Sequence, residues 1–321
     1  MAIPVGVFVP QGWRLDLVDI PDPIDQYEAM TRVAKTAEAS GLDSIWLYDH
    51  LLTVPTIEHE TTFECWITTA ALARDTSRIR IGQMVSCNSY RNPALLAKMA
   101  STVDVLSHGR LNFGLGAGWY EAEYLAYGYA FPEVPVRMRM FREAVALITR
   151  MWTEADPAYA GQYYQLQDAI NIPQGVQQPH IPMWIGGSGE KVTLKLVAEY
   201  GAAANIGGGP EVIRHKLDVL QRHCDTVGRD YDEIIRSSSA LVHLLQPGEH
   251  PEAATVAWRG ERTLEEYRQA FTVGTAAQVV EALQAKVDAG INYLIVYLQG
   301  TAYDPSLVEQ LAKEVVPHLQ G

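Results

Sequence analysis

Residues 78–119 read RIRIGQMVSCNSYRNPALLAKMASTVDVLSHGRLNFGLGAGW, and this stretch contains one strand, a loop, a helix and a second strand. Apolar residues over 79–85 predict a short buried strand. Asn92 is a typical helix N-cap, and Pro93 suits the first position of the helix that follows. Apolar residues over 111–115 predict the next strand. Because a helix joins the two strands, we expect a parallel pair whose carboxyl ends carry a ligand site.

Short apolar segments alternate with amphipathic segments along the rest of the chain. Further strands are predicted at 3–9, 44–48, 183–186, 202–206, 234–244 and 293–297. Further helices are predicted near 24–40, 63–74, 136–152, 210–227, 276–289 and 305–319. Eight strands separated by helices predict an α/β fold, a (β/α)₈ TIM barrel that forms a single domain over residues 1–321.

Two connections are longer than simple turns and are predicted to be insertions. Residues 155–182 lie between a helix and a strand, at the end of the barrel that usually serves stability. Residues 246–263 follow the carboxyl end of the seventh predicted strand. The second insertion is therefore a candidate lid over the site.

Composition excludes several classes of function. A net charge of −13 opposes binding to nucleic acid, because that affinity depends on clustered Lys and Arg. Three cysteines without a CxxC pair suggest a reducing, cytoplasmic environment. The amino terminus lacks the basic region of a signal peptide, and no apolar run is long enough to span a membrane. We therefore expect neither a nucleic-acid nor a membrane partner.

Asp49 and His50 follow the second predicted strand and would lie at the mouth of the barrel. An imidazole in that position could donate or accept a proton, because its ordinary pKa lies near neutrality. A structural alternative is that Asp49 caps the following turn while His50 packs in the core.

The sequence Gly-Leu-Gly-Ala-Gly over residues 114–118 follows the fourth predicted strand. It does not match the GxGxxG pattern of dinucleotide-binding folds. Glycines here would let the backbone lie against a flat ring or polar ligand, with Trp119 and Tyr120 beside it. A tight turn at a corner of the barrel is the structural alternative.

Gly186-Gly187-Ser188-Gly189 follows the fifth predicted strand and precedes a helix. Exposed backbone N–H groups, the helix dipole and the Ser188 hydroxyl would together form a phosphate site. A plain N-cap by Ser188 is the alternative. The nine histidines and three cysteines show no metal-binding spacing, and GxSxG and Walker motifs are absent. We therefore predict no metal site and expect chemistry supplied by an organic cofactor.

Several short motifs together resemble the luciferase-like monooxygenase superfamily and, more narrowly, its coenzyme F420-dependent oxidoreductase branch. These motifs are Pro10-Gln11-Gly12-Trp13, Trp46-Leu47-Tyr48-Asp49-His50, Cys87-Asn88-Ser89-Tyr90-Arg91-Asn92-Pro93, Gly114 to Trp119, and Ile185 to Lys191. The resemblance covers essentially the whole chain and implies a bacterial-luciferase-like (β/α)₈ barrel with insertions.

The resemblance also implies a role for individual residues. His50 would be catalytic, close to the reacting edge of a deazaflavin ring. A non-prolyl cis peptide at Met84-Val85 would support that ring from behind. The implied cofactor-binding residues are Asp49, Met84, Val85, Ala117, Gly118, Trp119, Gly186, Gly187, Ser188 and Gly189, and the implied substrate contacts are Gln11, Trp13 and Asn88.

The implied activity is hydride transfer between coenzyme F420 and a small organic substrate, in a homodimeric enzyme. An FMN-dependent monooxygenase and a non-catalytic carrier of flavin or deazaflavin are the alternatives, because both cofactors carry a phosphate. One departure concerns the substrate. Sugar-phosphate dehydrogenases of this family place a glutamate where Trp119 stands, so their substrate is not implied here.

Overall fold

Twelve strands form over residues 3–321, the part of the chain that the computed structural model describes. They are β1 (Val5–Phe8), β2 (Ser44–Leu47), β3 (Arg80–Gln83), β4 (Ser86–Cys87), β5 (Leu111–Gly116), β6 (Tyr159–Ala160), β7 (Gln165–Leu166), β8 (Met183–Gly186), β9 (Ala203–Asn205), β10 (Ile235–Leu244), β11 (Phe271–Gly274) and β12 (Tyr293–Leu298).

Eight of these strands close into a parallel barrel in the order β1, β2, β3, β5, β8, β9, β10 and β12. Closure follows from two sets of pairs, because β12 pairs with β1 and β9 pairs with β10. The short strand β4 continues from β3 and pairs with β5. The predicted (β/α)₈ barrel is therefore confirmed, with the carboxyl ends of all eight strands at one end.

Eleven α-helices surround this barrel in residues 3–321. They are α1 (Pro23–Ala39), α2 (Cys65–Asp75), α3 (Pro93–Leu106), α4 (Glu121–Ala126), α5 (Val134–Thr153), α6 (Thr193–Tyr200), α7 (Pro210–Val227), α8 (Pro251–Arg259), α9 (Leu264–Arg268), α10 (Ala276–Val287) and α11 (Ser306–Gln310). Helix α11 continues as a π-helical turn over Leu311–Val315 and a 3-10 turn over Val316–His318. Among the helices of residues 3–321, none combines the length and apolar composition that crossing a membrane requires.

The predicted start of α3 is confirmed. The Asn92 side chain accepts a 2.9 Å hydrogen bond from the Ala94 N–H, and Pro93 is the first helical residue. Asp22 caps α1 in the same way, with the Ile24 N–H as the donor. Both caps satisfy an N–H group that the helix itself leaves unpaired.

The two long connections contain more regular structure than the sequence indicated. Residues 155–182 contain the antiparallel pair β6 and β7, and residues 246–263 contain helix α8. Strand β11 was not predicted. It pairs with the carboxyl-terminal half of β10, whose amino-terminal half pairs with β9. Along one edge, the ten-residue strand β10 therefore pairs first with β9 and then with β11.

Two tryptophans fill the middle of the barrel. The ring centroids of Trp46 and Trp184 lie 4.7 Å apart, and both side chains are fully buried. Glycines on the neighbouring strands make room for Trp46. A Cβ atom on Gly6 would lie 2.5 Å from Trp46 Nε1, and one on Gly82 would lie 2.6 Å from Trp46 Cζ3. Cavities of about 870 Å³ and 880 Å³ lie at the carboxyl and amino ends of the strands, respectively.

We expect Gly82→Ala to destabilise the barrel. Its new methyl group would also lie 2.6 Å from the backbone oxygen of Asn112, which cannot move without disturbing β5. Overpacking of this kind lowers the free energy of unfolding by about 1–3 kcal/mol. Chemical denaturation would measure the loss. Gly207→Ala is the matched control, since nothing lies within 4 Å of the position that its methyl group would take. A Gly82→Ala midpoint equal to that of the control would contradict the packing argument.

Candidate active site

The cavity at the carboxyl ends of the strands gathers most of the predicted site residues. Its volume of about 870 Å³ lies within the usual range for small-molecule sites. The predicted residues that line it are Trp13, Asp49, His50, Met84, Val85, Ala117, Gly118, Trp119, Gly186, Gly187 and Gly189. Gln11, Asn88 and Ser188 are the predicted residues that do not line it.

His50 lies in this cavity and not in the layer between barrel and helices. Its Nδ1 atom is 2.9 Å from Glu123 Oε2. The Trp13 ring stacks on the imidazole with a centroid distance of 4.9 Å and an interplanar angle of 17°. The rings of Trp119 and Tyr120 lie edge-on to the imidazole, with their centroids 6.0 and 6.2 Å from the centroid of the His50 ring. Three aromatic rings and one carboxylate thus hold the imidazole in one orientation.

Glu123 is a buried carboxylate with four hydrogen-bond donors. Its Oε1 accepts the Leu51 and Leu52 N–H groups at 2.8 and 2.9 Å. Its Oε2 accepts the Tyr90 hydroxyl at 2.8 Å, in addition to His50. Burial alone would raise the pKa of Glu123, but the hydrogen bond and electrostatic interaction with His50, together with the hydrogen bonds from Leu52 and Tyr90, lower it below the ordinary value. An ionised Glu123 fixes Nδ1 as the protonated ring nitrogen and leaves Nε2 as the nitrogen that can exchange a proton.

Asp49 is held by Arg91. The guanidinium donates from Nη1 to Asp49 Oδ2 at 2.7 Å and from Nη2 to Oδ1 at 3.0 Å. Asp49 Oδ2 also accepts the Cys87 N–H at 2.8 Å, which ties the end of β2 to β4. Burial alone would lower the pKa of Arg91, but the negative charges of Asp49 and Glu64 outweigh this effect and raise the pKa above its ordinary value. Asp49 therefore anchors the neighbouring strand and does not cap a turn.

The floor of the cavity consists of backbone and one valine. The peptide bond between Met84 and Val85 is cis, as predicted. The Val85 side chain occupies the space beside two glycines. A Cβ atom on Gly116 would lie 2.5 Å from Val85 Cγ2, and one on Gly186 would lie 2.7 Å from Val85 Cγ1. Side chains on β5 and β8 would therefore displace Val85, and glycine keeps the floor flat.

Gly118 and Cys87 shape the wall beside that floor. Gly118 has a φ of +77°, and a Cβ atom there would collide with Tyr124 Oη. Tyr124 Oη in turn lies 3.0 Å from Cys87 Sγ. Burial raises the pKa of Cys87 to about 12, so its thiol is neutral at physiological pH. Cys87 is therefore a packing residue and not a nucleophile.

The loop after β8 brings three glycines to the cavity but does not begin a helix at Ser188. Helix α6 starts at Thr193, with Val192 at the N-cap position. The alternative that Ser188 caps this helix is therefore wrong. Gly187 lines the cavity and has a φ of +106°, a conformation that glycine adopts without strain. The Ser188 hydroxyl has no hydrogen-bond partner within residues 3–321, so it is free to bind a ligand.

Gln11 and Asn88 are buried beside the cavity. Gln11 donates to the Phe63 carbonyl at 2.6 Å and accepts the Tyr48 N–H at 2.9 Å. Both ends of its side chain are thus occupied in holding the loop that carries Trp13. Asn88 donates to Tyr164 Oη at 3.2 Å.

Sequence reasoning missed Glu123, Arg91 and Arg14, all of which help to form the site. Arg91 lies within the motif Cys87–Pro93. Its positive charge could have been expected to pair with an acidic residue, such as Asp49, at the end of a neighbouring strand. Glu123 lies on α4, a six-residue helix too short to show a clear period. Arg14 directly follows Trp13 and lines the cavity. A charged residue close to a strand end was the available signal in each case.

Comparison with known proteins gives a consistent result. The sequence profile of a family described as luciferase-like monooxygenase matches residues 3–259. An F420-dependent glucose-6-phosphate dehydrogenase from Amycolatopsis mediterranei (strain U-32) is 27% identical to this chain, covering 91% of this chain and 94% of that protein.

Two solved structures share the fold. An F420-dependent secondary alcohol dehydrogenase in complex with an F420-acetone adduct superposes with a TM-score of 0.81 and 19% identity, covering 100% of both chains. A monooxygenase from Streptomyces bottropensis gives a TM-score of 0.82 and 17% identity, covering 99% of this chain and 100% of the other.

The Glu123 cluster generates a prediction about stability and pH. Glu123→Gln should lower the free energy of unfolding by about 1–3 kcal/mol at pH 7, because an amide cannot accept all four hydrogen bonds. The folded-state pKa of Glu123 is below the ordinary 4.5, so the contribution is complete above that pH and is lost as pH falls through the folded-state value. Denaturation of both proteins between pH 3 and pH 8 would measure this.

Tyr90→Phe is the control for that experiment, since it removes one donor and leaves the carboxylate. We expect a smaller loss from it, of about 1 kcal/mol. Equal stability of Glu123→Gln and the wild type at every pH would contradict the role assigned to the cluster.

Proposed function

Because this chain belongs to the luciferase-like monooxygenase family, we propose that it is a coenzyme F420-dependent oxidoreductase. It would transfer a hydride between the deazaflavin and a small organic substrate. The observation that carries the proposal is His50, held by the buried carboxylate of Glu123 in a cavity with a flat glycine floor. The dehydrogenases similar to this chain are named for the same cofactor.

The residues of the cavity fit a planar, phosphate-bearing cofactor. Gly116 and Gly186 leave the carboxyl ends of β5 and β8 without side chains, and the Val85 side chain fills the space that those side chains would take. The loop at 187–189 offers backbone N–H groups and the unpaired Ser188 hydroxyl for a phosphate. Asp49 lines the cavity next to His50, where it would contact the ring system.

F420, when bound, supplies a ring carbon that accepts or releases a hydride. The protein supplies the proton transfer. His50 Nε2 would take the proton of a substrate hydroxyl, or return it, while Glu123 compensates the charge that develops on the imidazole. Trp13 keeps the ring from rotating. This arrangement requires substrate and cofactor to meet beside His50.

Quaternary structure and location are part of the proposal. We infer a homodimer in the cytoplasm, supported by the family resemblance and by apolar side chains left exposed on one chain. Leu95 and Ile172 are 55% and 74% exposed, and Lys98, one helical turn from Leu95, donates to the Ile172 carbonyl. These neighbouring side chains form a surface that a second copy of the chain would cover.

We expect the protein to bind F420 more tightly than FMN. Titration of the purified protein with each cofactor, followed by fluorescence, would measure both affinities. Ser188→Asp should weaken F420 binding strongly, because it places a negative charge beside the phosphate. Ser188→Ala is the matched control and should lose at most one hydrogen bond, about 0.5–1.5 kcal/mol.

Two outcomes of the titration would change the proposal. Comparable or tighter binding of FMN would favour an FMN-dependent monooxygenase. Unchanged affinity in Ser188→Asp would place the phosphate elsewhere in the cavity.

His50 and Asp49 should have different effects on turnover and binding. His50→Ala should lower turnover by about 10²–10⁴-fold with little change in F420 affinity, as expected for an acid–base group. Asp49→Ala should weaken F420 binding more than it lowers turnover at saturation. F420 reduction with a panel of small alcohols would provide the assay, and His59→Ala, at an exposed position, is the control. Full activity of His50→Ala would remove the catalytic assignment.

A further inference from the structure

Arg14 is a cation in the cavity that forms no salt bridge in the described part of the chain. Its side chain lines the cavity, and its Cζ atom lies 4.6 Å from the Trp13 ring centroid. The Phe271 and Tyr297 rings lie 5.6 Å from the same atom. Within residues 3–321 the guanidinium makes no ion pair or hydrogen bond, and its Nε is buried. The Arg14 guanidinium therefore contacts only the faces of aromatic rings within these residues. Its five N–H donors remain without acceptors.

The acidic groups around the cavity are already engaged by other residues. Asp49 is held by the two hydrogen bonds from Arg91, and Glu123 is held by His50. Asp16 lies nearest to Arg14 in sequence, but it accepts hydrogen bonds from Tyr297 Oη at 3.0 Å and from the backbone. Asp16 makes no hydrogen bond or ion pair with Arg14 within residues 3–321. Arg14 therefore has no direct salt bridge to any of these three carboxylates.

Arg262 is the other arginine that lines the cavity, and it is committed to backbone groups. It donates to the Arg259 carbonyl at 3.1 Å and to the Trp258 carbonyl at 3.3 Å. Among the described residues that line the cavity, Arg14 thus presents a single free guanidinium. A guanidinium can donate two parallel N–H···O bonds to a carboxylate or to a phosphate. The single positive charge of Arg14 balances a carboxylate, whereas a phosphate dianion would keep one negative charge unbalanced.

The position of Arg14 in the barrel separates it from the proposed phosphate loop. Arg14 follows β1, and the loop 187–189 follows β8, which lies four strands from β1 in either direction around the barrel. Trp13 lies between Arg14 and His50, with its ring centroid 4.6 Å from Arg14 Cζ and 4.9 Å from the His50 ring. A molecule that reacts at His50 and extends away from the phosphate loop would reach Arg14.

We propose that the substrate carries a carboxylate group and that Arg14 binds it. This inference rests on the proposed function, since it assigns the cofactor phosphate to the opposite side of the cavity. The substrate is then an organic acid whose reacting carbon lies beside His50 and whose carboxylate lies beyond Trp13. Arg14 determines specificity and takes no part in proton transfer.

Binding of a model acid to the F420-loaded protein tests the proposal. Benzoate and the uncharged, equally sized benzamide are the probes, and calorimetric titration gives both affinities. We expect benzoate to bind about ten-fold more tightly or better, the preference typical of a charge-assisted pair. Arg14→Met should abolish the preference, Arg14→Lys should keep part of it, and Arg262→Met is the matched control that should keep it.

Each alternative has its own result. Equal binding of benzoate and benzamide to the wild type, or an unchanged preference in Arg14→Met, would overturn the inference. A loss of F420 affinity in Arg14→Met would assign Arg14 to an anionic group of the cofactor, which also overturns it. Tighter binding of phenyl phosphate than of benzoate would replace carboxylate by phosphate. If the wild type binds no F420, the proposed function fails, and the same probes on the unloaded protein still test Arg14.

Discussion

The packing of Trp46 against Trp184 inside the barrel is the constraint on which the site depends. These two rings are buried inside the barrel, and the cavity lies at the carboxyl ends of the same strands. Trp46 fits because Gly6 and Gly82 have no side chains. The same arrangement of glycines beside a larger residue occurs at the carboxyl ends of β5 and β8, where Gly116 and Gly186 make room for Val85. Large residues thus lie beside glycines on neighbouring strands, where any side chain would collide with them.

The electrostatics of the site follow a second rule, which is that each buried carboxylate has its own donors. Asp49 is paired with Arg91, and Glu123 accepts four hydrogen bonds. Unpaired burial of either group would cost on the order of several kcal/mol by loss of solvation. These pairs also join elements that are distant in sequence, because they tie the end of β2 to β4 and α4. His50 is held in place by this network, whereas Arg14 makes no hydrogen bond or ion pair within residues 3–321.

Much of the barrel was predictable because its signals are local. The Asn92 cap, the proline after it and the apolar strands depend on neighbouring residues, and all appear in the structure. Strand β11 was missed because four residues carry little pattern, and it forms only by pairing with the far half of β10. Helix α4 was missed for the same reason. The structure begins α6 at Thr193 and not near Ser188, which local glycine content could not indicate.

The class of fold, the end of the barrel with the candidate site, and the candidates His50, Asp49 and the glycine loops could all be predicted from the sequence. These follow from periodicity, caps and motif order, which are properties of short stretches of chain. The folded chain was needed to show that Glu123 orients His50, that Arg91 holds Asp49, and that Arg14 forms no salt bridge among the described residues. The first two pairs join side chains that are 73 and 42 residues apart in sequence and that meet only when the barrel closes. Contacts of that range cannot be read from local pattern, because closure of the barrel, and not neighbouring sequence, sets their distances.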